Sequence, residues 1–181
     1  MNKLLYLPLN LIALLPFSVL YLFSDCVYYF IYYLGRYRKK VVRINLKNAF
    51  PKLSLSERKK IEKEFFRHFC DLLFETIKAL SIKKQTIYKR FKVTNPELLE
   101  EFYQKNKSIV LFTAHLGNWE WLSFIPHYTR YQTSTFYQPL SNNYINKLMH
   151  RIRSQFGTLC ISSTQGYKAV SYTHLTLPTK A

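Results

Sequence analysis

The amino-acid sequence predicts an α/β fold with a helical front that lies next to a membrane. Three observations favour this class. An uncharged apolar stretch runs from Leu4 to Ser24, apolar residues then recur at helical spacing from Ile61 to Leu80, and a continuous apolar run follows at Lys107–Thr113. With 181 residues and 48% hydrophobic content the chain can bury a core, which excludes a disordered protein.

Residues 1–35 are predicted to form a membrane anchor. The uncharged stretch from Leu4 to Ser24 matches the roughly 20 residues that a helix needs to cross the hydrocarbon layer. Pro8 and Pro16 interrupt it, so a kinked helix at the membrane interface and a signal peptide stay open as alternatives to a spanning helix. Asp25 and a run of aromatic residues follow where a signal peptide would be cleaved, so we expect the segment to be retained.

A basic cluster follows the apolar segment. The chain holds 27 Lys and Arg against 10 Asp and Glu, a formal charge of +17, which favours an acidic partner such as an anionic membrane. The positive-inside rule places the cluster on the cytoplasmic side. Nucleic acid is the rival acidic partner, but no nucleic-acid-binding module is recognisable, so none is expected to bind. The basic cluster consists of Arg36, Arg38, Lys39, Lys40, Arg43 and Lys47.

Two helices are predicted in the next part of the chain. Ser54 or Ser56, followed by Glu57, is a typical helix start, and the apolar stripe that continues to Leu80 predicts a long amphipathic helix that packs against another layer. An asparagine N-cap followed by a proline predicts a second, short helix at Pro96–Gln104.

The second half of the chain is predicted to alternate strands and helices, as a parallel sheet does. The apolar run at Lys107–Thr113 is predicted to be a buried strand. Polar residues follow it directly, at the place where open α/β sheets usually bind their ligands. Further elements are predicted as a strand at Thr133–Tyr137, a helix at Asn143–Phe156 and a strand at Thr158–Ser162.

His115 and Glu120 are the candidate catalytic pair. On one continuous helix their spacing would separate them by about 140 degrees, so a turn must intervene. Gly117 and Asn118 tolerate positive φ and would let the chain turn into a helix whose first turn brings Glu120 near His115. A carboxylate that binds one imidazole nitrogen raises the basicity of the other, which suits removal of a proton from an alcohol.

A structural role for both residues stays open at this point, because a lone His and Glu near a strand end are often not catalytic. The sequence has no GxSxG nucleophile elbow, which favours direct transfer over a covalent intermediate. The HxxxxE spacing has neither the geometry nor the third ligand of a zinc site, so no metal and no cofactor are expected.

Four sequence blocks occur in the order typical of one known family. The most specific is TAHLGNWEW at Thr113–Trp121; the others are LLYLPLNLIALLPFSVLYLFSD near the N-terminus, YRKKVVRINLKNAFP at Tyr37–Pro51 and FYQPLSNNYINKLMHRIRSQFGT at Phe136–Thr158. In these blocks the chain resembles the lipid A biosynthesis late acyltransferases, within the wider glycerolipid acyltransferase-like superfamily. The resemblance covers about residues 1–170 and implies a glycerolipid acyltransferase-like sheet with flanking helices.

The resemblance implies an enzyme at the cytoplasmic face of the bacterial inner membrane. Such an enzyme moves a fatty acyl chain from acyl carrier protein to a hydroxyl of a lipid A precursor, so the implied partners are the carrier, the precursor and anionic membrane. His115 is implied as the general base and Glu120 as its support. Arg153 is assigned to the thioester oxygen, a substrate phosphate or the carrier, with Arg151 as second choice, and Asn118 is also assigned to substrate binding.

Residues 36–170 are expected to form an acyltransferase domain whose C-terminal part is missing. Residues 171–181, SYTHLTLPTKA, resemble translated sequencing-adapter read-through, and related chains continue further. A chain that ends there is expected to be inactive by itself. The alternative function is that of a non-catalytic, membrane-anchored basic protein that binds an acidic carrier or lipid.

Overall fold

The computed structural model describes residues 6–164, which are mostly helical with one small parallel sheet. The chain divides after Ile82 into two compact units. The predicted α/β class is therefore confirmed in its coarse form only, since helices dominate and the sheet among the described residues has two strands. The expected read-through segment at residues 171–181 lies outside the described residues.

Helices make up the described part of the first unit. They are α1 (Leu7–Leu14), α2 (Phe17–Tyr29), a π-helical turn (Phe30–Gly35), α3 (Lys39–Ala49), α4 (Leu55–Lys78) and a 3-10 turn (Ala79–Ser81). Helix α4 is central, because α1, α2 and α3 all pack against it. Its predicted start is confirmed: Ser54 and Glu57 form a capping box in which each side chain accepts the other residue's backbone N–H.

The apolar N-terminal segment bends at Pro16, as its prolines predict. Leu15 is extended, with ψ of 147°, and ends α1, because the residue before a proline disfavours the helical region. Lys78 Nζ donates hydrogen bonds of 2.8 Å to the carbonyl oxygens of Ala13 and Leu15, which α1 leaves without helical partners. By length and composition alone, the helical stretch Phe17–Gly35 could cross a membrane.

Aromatic rings form the core of the first unit. Tyr28 and Tyr32 stack with their ring centroids 5.6 Å apart, and Phe66 of α4 meets Tyr32 edge-on at 5.5 Å. Cys70 of α4 is fully buried beside them. The apolar stripe of α4 thus packs against another layer of helix, as its spacing predicts.

A buried carboxylate ties α3 to α4. Glu62 of α4 has 3% of its side chain exposed, and Arg43 of α3 donates to both of its oxygens, from Nε at 2.8 Å and from Nη2 at 3.2 Å. Lys39 Nζ lies 3.8 Å from the same carboxylate. Burial, the largest single effect, would raise the pKa of Glu62, but the hydrogen bonds from Arg43 and the positive charges of Arg43 and Lys39 act with the Tyr32 hydroxyl to hold the pKa below its ordinary value.

The second unit contains the sheet. Its described elements are α5 (Lys84–Arg90), α6 (Pro96–Gln104), a 3-10 helix (Trp119–His127), β1 (Ser134–Tyr137), α7 (Asn143–Ser154) and β2 (Leu159–Ser162). Strands β1 and β2 are parallel, with Ser134 opposite Leu159 and Tyr137 opposite Ser162. Helix α7 is the crossover between them and packs on β2. The predictions of α6, β1, α7 and β2 are confirmed, with small differences at the ends of three of them.

Phe124, on the 3-10 helix, is at the centre of the second core and is fully buried. Phe156 meets it edge-on with ring centroids 4.8 Å apart, and Trp121 lies 5.5 Å from it. Ile152 of α7 is also fully buried. The residues that follow Glu120 are therefore core residues, which fixes the 3-10 helix in place.

The predicted strand at Lys107–Thr113 is wrong. These residues have no regular secondary structure, and except for the half-buried Ile109 their apolar side chains are open to solvent, with Phe112 93% exposed. A buried parallel strand forms only where neighbouring strands bind its backbone N–H and C=O groups. Within residues 6–164, β1 and β2 pair with each other and no strand pairs with Lys107–Thr113.

The helix expected after Gly117 and Asn118 is present, but it is a 3-10 helix, Trp119–His127. It begins with a hydrogen bond from the Trp121 N–H to the Asn118 carbonyl, and Pro126, which lacks an N–H, lies near its end. Since a 3-10 helix has 3.0 residues per turn rather than 3.6, its side chains point in directions other than those assumed for an α-helix.

Replacing Glu62 tests the buried ion pair of the first unit. Glu62→Gln keeps the side-chain shape but removes the charge that binds Arg43. We expect the free energy of unfolding to fall by about 1–2 kcal/mol at neutral pH, since Arg43 is more than half exposed and stays partly solvated. Urea unfolding followed by far-UV circular dichroism measures this loss.

The same variant has an expected pH signature. Because the folded pKa of Glu62 is lowered, its stabilisation is present above the pKa of the unfolded chain and is lost as pH falls through the folded value. Glu62→Gln should therefore show a weaker fall of stability with acidification than the wild type. Glu64→Gln, an exposed position on the same helix, is the control and should behave as the wild type does. Equal effects of the two variants would contradict the role of the pair.

Candidate active site

Glu120 and Arg153 form a bidentate ion pair between the 3-10 helix and α7. Arg153 Nε donates to Glu120 Oε2 at 2.7 Å, and Arg153 Nη2 donates to Oε1 at 2.6 Å. Only 11% of the Glu120 side chain and 24% of the Arg153 side chain are exposed. Two parallel N–H···O bonds fix orientation as well as distance, so the pair holds the two elements in one arrangement.

Helix α7 presents Arg153 because its other face is fixed in the core. Asn142 caps the helix by accepting hydrogen bonds from its first backbone N–H groups. Leu148 and Ile152 are buried. Arg153 follows Ile152 and so lies beside the buried face, where Glu120 meets it. Arg151 is turned about 200 degrees around the helix from Arg153 and is exposed.

The ion pair sets the electrostatics of its surroundings. The hydrogen bonds to Glu120 raise the pKa of Arg153, although burial opposes them. Cys160 of β2 lies close enough to be affected: burial raises the pKa of its thiol, while the positive charge of Arg153 lowers it and the negative charge of Glu120 raises it. At neutral pH Arg153 therefore keeps its positive charge, and the Cys160 thiol beside the pair stays protonated.

His115 lies on the exposed loop that leads to the 3-10 helix. Its ring centroid is 4.8 Å from that of Trp119, with the planes tilted by 49°. Within residues 6–164, no hydrogen bond or ion pair joins His115 to Glu120, and both oxygens of Glu120 accept from Arg153 instead. The direct contact between carboxylate and imidazole that the sequence suggested is therefore not formed in this structure.

Gly117 makes the turn that the sequence predicts between His115 and Glu120. Its φ is +60°, a value that favours glycine. Asn118 also tolerates a positive φ, but its φ is −91°, so Gly117 alone of the two is left-handed. The turn reverses the chain, but it directs the Glu120 carboxylate to Arg153.

Apolar side chains flank His115 on the same loop. Val110, Phe112 and Leu116 are all more than three quarters exposed. Contiguous exposed apolar residues mark surfaces where another apolar molecule binds. The imidazole thus lies on a loop that also exposes apolar side chains. Within the described part of the chain, no three His, Cys, Asp or Glu side chains are grouped as metal ligands.

The structure brings Glu120 and Arg153 into direct contact, places His115 and Asn118 on the segment before Glu120, and separates Arg151 from the pair. Sequence reasoning missed that Arg153 binds Glu120. A signal was present, since Glu120 is the one acidic residue after Glu101 in a chain of charge +17. A carboxylate that is mostly buried in such a chain is expected to bind a basic side chain.

A sequence model of the bacterial lipid A biosynthesis acyltransferase family matches residues 4–171. The matched range includes His115, Glu120 and Arg153. The family match identifies the class of protein as the acyltransferases. The chain belongs to the bacterial lipid A biosynthesis acyltransferase family, as its sequence blocks predict. Neither the curated proteins nor the solved structures yielded a match to the chain.

A double-mutant cycle tests the Glu120–Arg153 pair. Glu120→Gln and Arg153→Gln each leave one charge of a mostly buried pair without its partner, whereas the double variant removes both. We expect a coupling energy of about 1.5–3 kcal/mol in urea unfolding, typical of charge-assisted hydrogen bonds. Arg151→Gln on the exposed side of α7 is the control and should change stability by less than about 0.5 kcal/mol. A coupling energy near zero would show that the pair does not hold the two elements together.

Proposed function

We propose that this protein transfers a fatty acyl chain from acyl carrier protein to a hydroxyl group of a lipid A precursor at the cytoplasmic face of the bacterial inner membrane. Family membership is the observation that carries the proposal, because the matched range includes both the His115 loop and the Glu120–Arg153 pair. The geometry supports it, since the pair fastens the segment that carries an accessible imidazole beside an apolar surface.

His115 acts as the general base in this proposal. Its imidazole takes the proton of the acceptor hydroxyl while that oxygen attacks the carbonyl carbon of the thioester. The tetrahedral intermediate then forms the new ester as its carbon–sulfur bond breaks, and the thiolate of the carrier takes the proton from the imidazolium. No side chain of the protein is acylated, in agreement with a sequence that has no nucleophile elbow.

Glu120 supports His115 through the backbone rather than through a direct hydrogen bond. Arg153 holds the Glu120 carboxylate, and Glu120 follows the turn at Gly117 that carries His115. Fixing Glu120 therefore fixes one end of this turn. Glu120 is a positioning residue in this proposal, so its loss should lower kcat more than it raises KM.

Arg153, Arg151 and Asn118 contact the substrates in this proposal. The pair with Glu120 uses Nε and Nη2 of Arg153, so Nη1 is the nitrogen assigned to the thioester oxygen or to a phosphate of the precursor. Arg151, exposed on α7, is assigned to the acidic carrier. Asn118 precedes the 3-10 helix between His115 and Glu120, where its amide is assigned to the acceptor.

The charge of the chain agrees with these partners. Acyl carrier protein, the phosphates of lipid A and an anionic membrane are all acidic. A formal charge of +17 speeds encounter with each of them, and the effect weakens as ionic strength rises.

A non-catalytic function is the alternative, and the exposure of His115 without a hydrogen bond to Glu120 favours it. In that case the protein is a membrane-anchored basic protein that holds an acidic carrier or lipid. Binding of the carrier or lipid then depends on the basic cluster at Arg36–Lys47 and not on His115.

Replacing His115 separates the two functions. In membranes of cells that express the protein from its own gene, His115→Ala should lower acyl transfer by about 10²–10⁴-fold, because the general base is lost. Membrane attachment should stay as in the wild type. Transfer is measured with radiolabelled acyl carrier protein and a lipid A precursor.

His68→Ala is the matched control, since His68 is an exposed histidine on α4. It should leave transfer unchanged. Full transfer by His115→Ala would contradict the catalytic proposal. If charge reversal of Arg36, Arg38, Lys39 and Lys40 abolished carrier or lipid binding while His115→Ala had no effect, the non-catalytic function would take its place.

A further inference from the structure

Polar side chains lie between α2 and α4 at helical spacing. The Tyr21 hydroxyl donates to Glu75 Oε1 at 2.7 Å, and the Ser24 hydroxyl donates to Asp71 Oδ1 at 2.6 Å. Residue numbers rise along α2 as they fall along α4, so the two helices are antiparallel. The polar ladder consists of the Tyr21–Glu75 and Ser24–Asp71 hydrogen bonds and the Asp25–Arg67 ion pair of 3.5 Å.

Both ends of the α2 region are also held by charged side chains. At the N-terminal end, Lys78 of α4 donates to two carbonyl oxygens at the end of α1. At the C-terminal end, Lys39 Nζ donates to the Tyr32 carbonyl oxygen at 3.1 Å and lies 3.8 Å from Glu62 of α4. The apolar segment is thus fastened to α4 along its whole length.

The side of the α2 region that faces away from α4 is apolar and exposed. A helix on a soluble protein turns its apolar stripe inward and its polar side to water. Here the hydroxyls of Tyr21 and Ser24 are turned inward to α4, the half-exposed Asp25–Arg67 pair lies at the edge, and the apolar groups are outside, an arrangement that suits a boundary between hydrocarbon and water. The outer face consists of Leu22, Phe23, Tyr29, Phe30, Tyr33 and Leu34, together with Leu7, Leu11 and Leu14 of α1.

A helix fastened in this way cannot cross a bilayer unless α4 crosses with it. Helix α4 contains eleven charged residues, and a charge at the centre of a bilayer is costly. The alternative is release of α2 from α4. Release would break the polar ladder and would leave Asp25 in the hydrocarbon layer without Arg67.

The charges that follow the outer face match an anionic lipid surface. From Cys26 to Ser56 the sequence contains no acidic residue. Basic residues in this range attract the negatively charged headgroups of a membrane. The exposed ones are Arg36, Arg38, Lys40, Arg43, Lys47 and Lys52.

We propose that α1 and α2 lie in the plane of an anionic phospholipid bilayer, with the outer face buried at the boundary of headgroups and acyl chains and α4 on the water side. Amphipathic helices at this boundary sink about 5–10 Å. Tyr29 and Tyr33 on the outer face suit the headgroup level, where tyrosine is enriched. The proposal concerns attachment only and does not depend on the chemistry of His115.

Spin-label depth measurements test this geometry on the full chain in vesicles of phosphatidylethanolamine and phosphatidylglycerol. One label is placed at Leu7, Leu22 or Leu34 in a Cys26→Ser background, because Cys26 is an exposed thiol. Power saturation with oxygen and a nickel chelate then gives the depth of each label. We expect all three labels at similar shallow depths, and a label at the exposed Glu64 of α4 in water.

A spanning helix gives a different profile. Leu22 would then lie deep in the bilayer, and Leu7 and Leu34 would lie towards opposite surfaces. That result would overturn the proposal. Labels that stay in water would also overturn the proposal, because the outer face would then not enter the bilayer. Dipolar broadening between molecules would overturn it as well, because a second copy of the chain would then cover the outer face instead of lipid.

Vesicle sedimentation tests the contribution of charge. Reversal of two exposed lysines after the outer face, Lys40→Glu with Lys47→Glu, should weaken binding to anionic vesicles by at least about 30-fold. Reversal of two exposed lysines of α4, Lys60→Glu with Lys63→Glu, is the matched control and should have a clearly smaller effect. Equal losses in both pairs would mean that net charge, and not this surface, binds the membrane, and would overturn the proposal.

Discussion

A mostly buried carboxylate in a strongly basic chain has to be paired, and the Glu120–Arg153 ion pair is the contact on which the candidate site depends. It joins a 3-10 helix, rooted in the core by Phe124, to α7, rooted in the core by Ile152. Core packing thus positions both elements so that the two side chains can pair. The His115 loop is attached directly to this fixed point, which is how an exposed histidine can have a defined position.

The same rule organises the first unit. Glu62 is buried on α4 and is bound by Arg43, and the carboxylates of Asp71 and Glu75 accept hydrogen bonds from α2. These contacts turn the polar side of the N-terminal segment inward and its apolar side outward. The proposed interfacial attachment rests on how α2 packs, because a spanning helix and an interfacial helix can share the same hydropathy.

The elements that the sequence predicts correctly are those specified by local signals. Helix α4 follows from the Ser54–Glu57 capping box and an apolar stripe, and α6 follows from its N-terminal proline. The strand at Lys107–Thr113 fails because a parallel strand depends on neighbours that local composition does not specify. The predicted partner of Glu120 is wrong for a similar reason. The sequence suggested His115, which is near in sequence but lies beyond a turn, whereas the observed partner Arg153 lies on an element distant in sequence.

Hydrogen exchange of the backbone amides tests most directly whether the ion pair holds the His115 segment. The account predicts that Arg153→Gln speeds exchange in the 3-10 helix Trp119–His127 and in the turn before it, while α5 and α6 exchange as in the wild type. Arg151→Gln should change none of these rates. Unchanged exchange of the 3-10 helix in Arg153→Gln would contradict the account, because the segment that carries His115 would then be held by core packing alone.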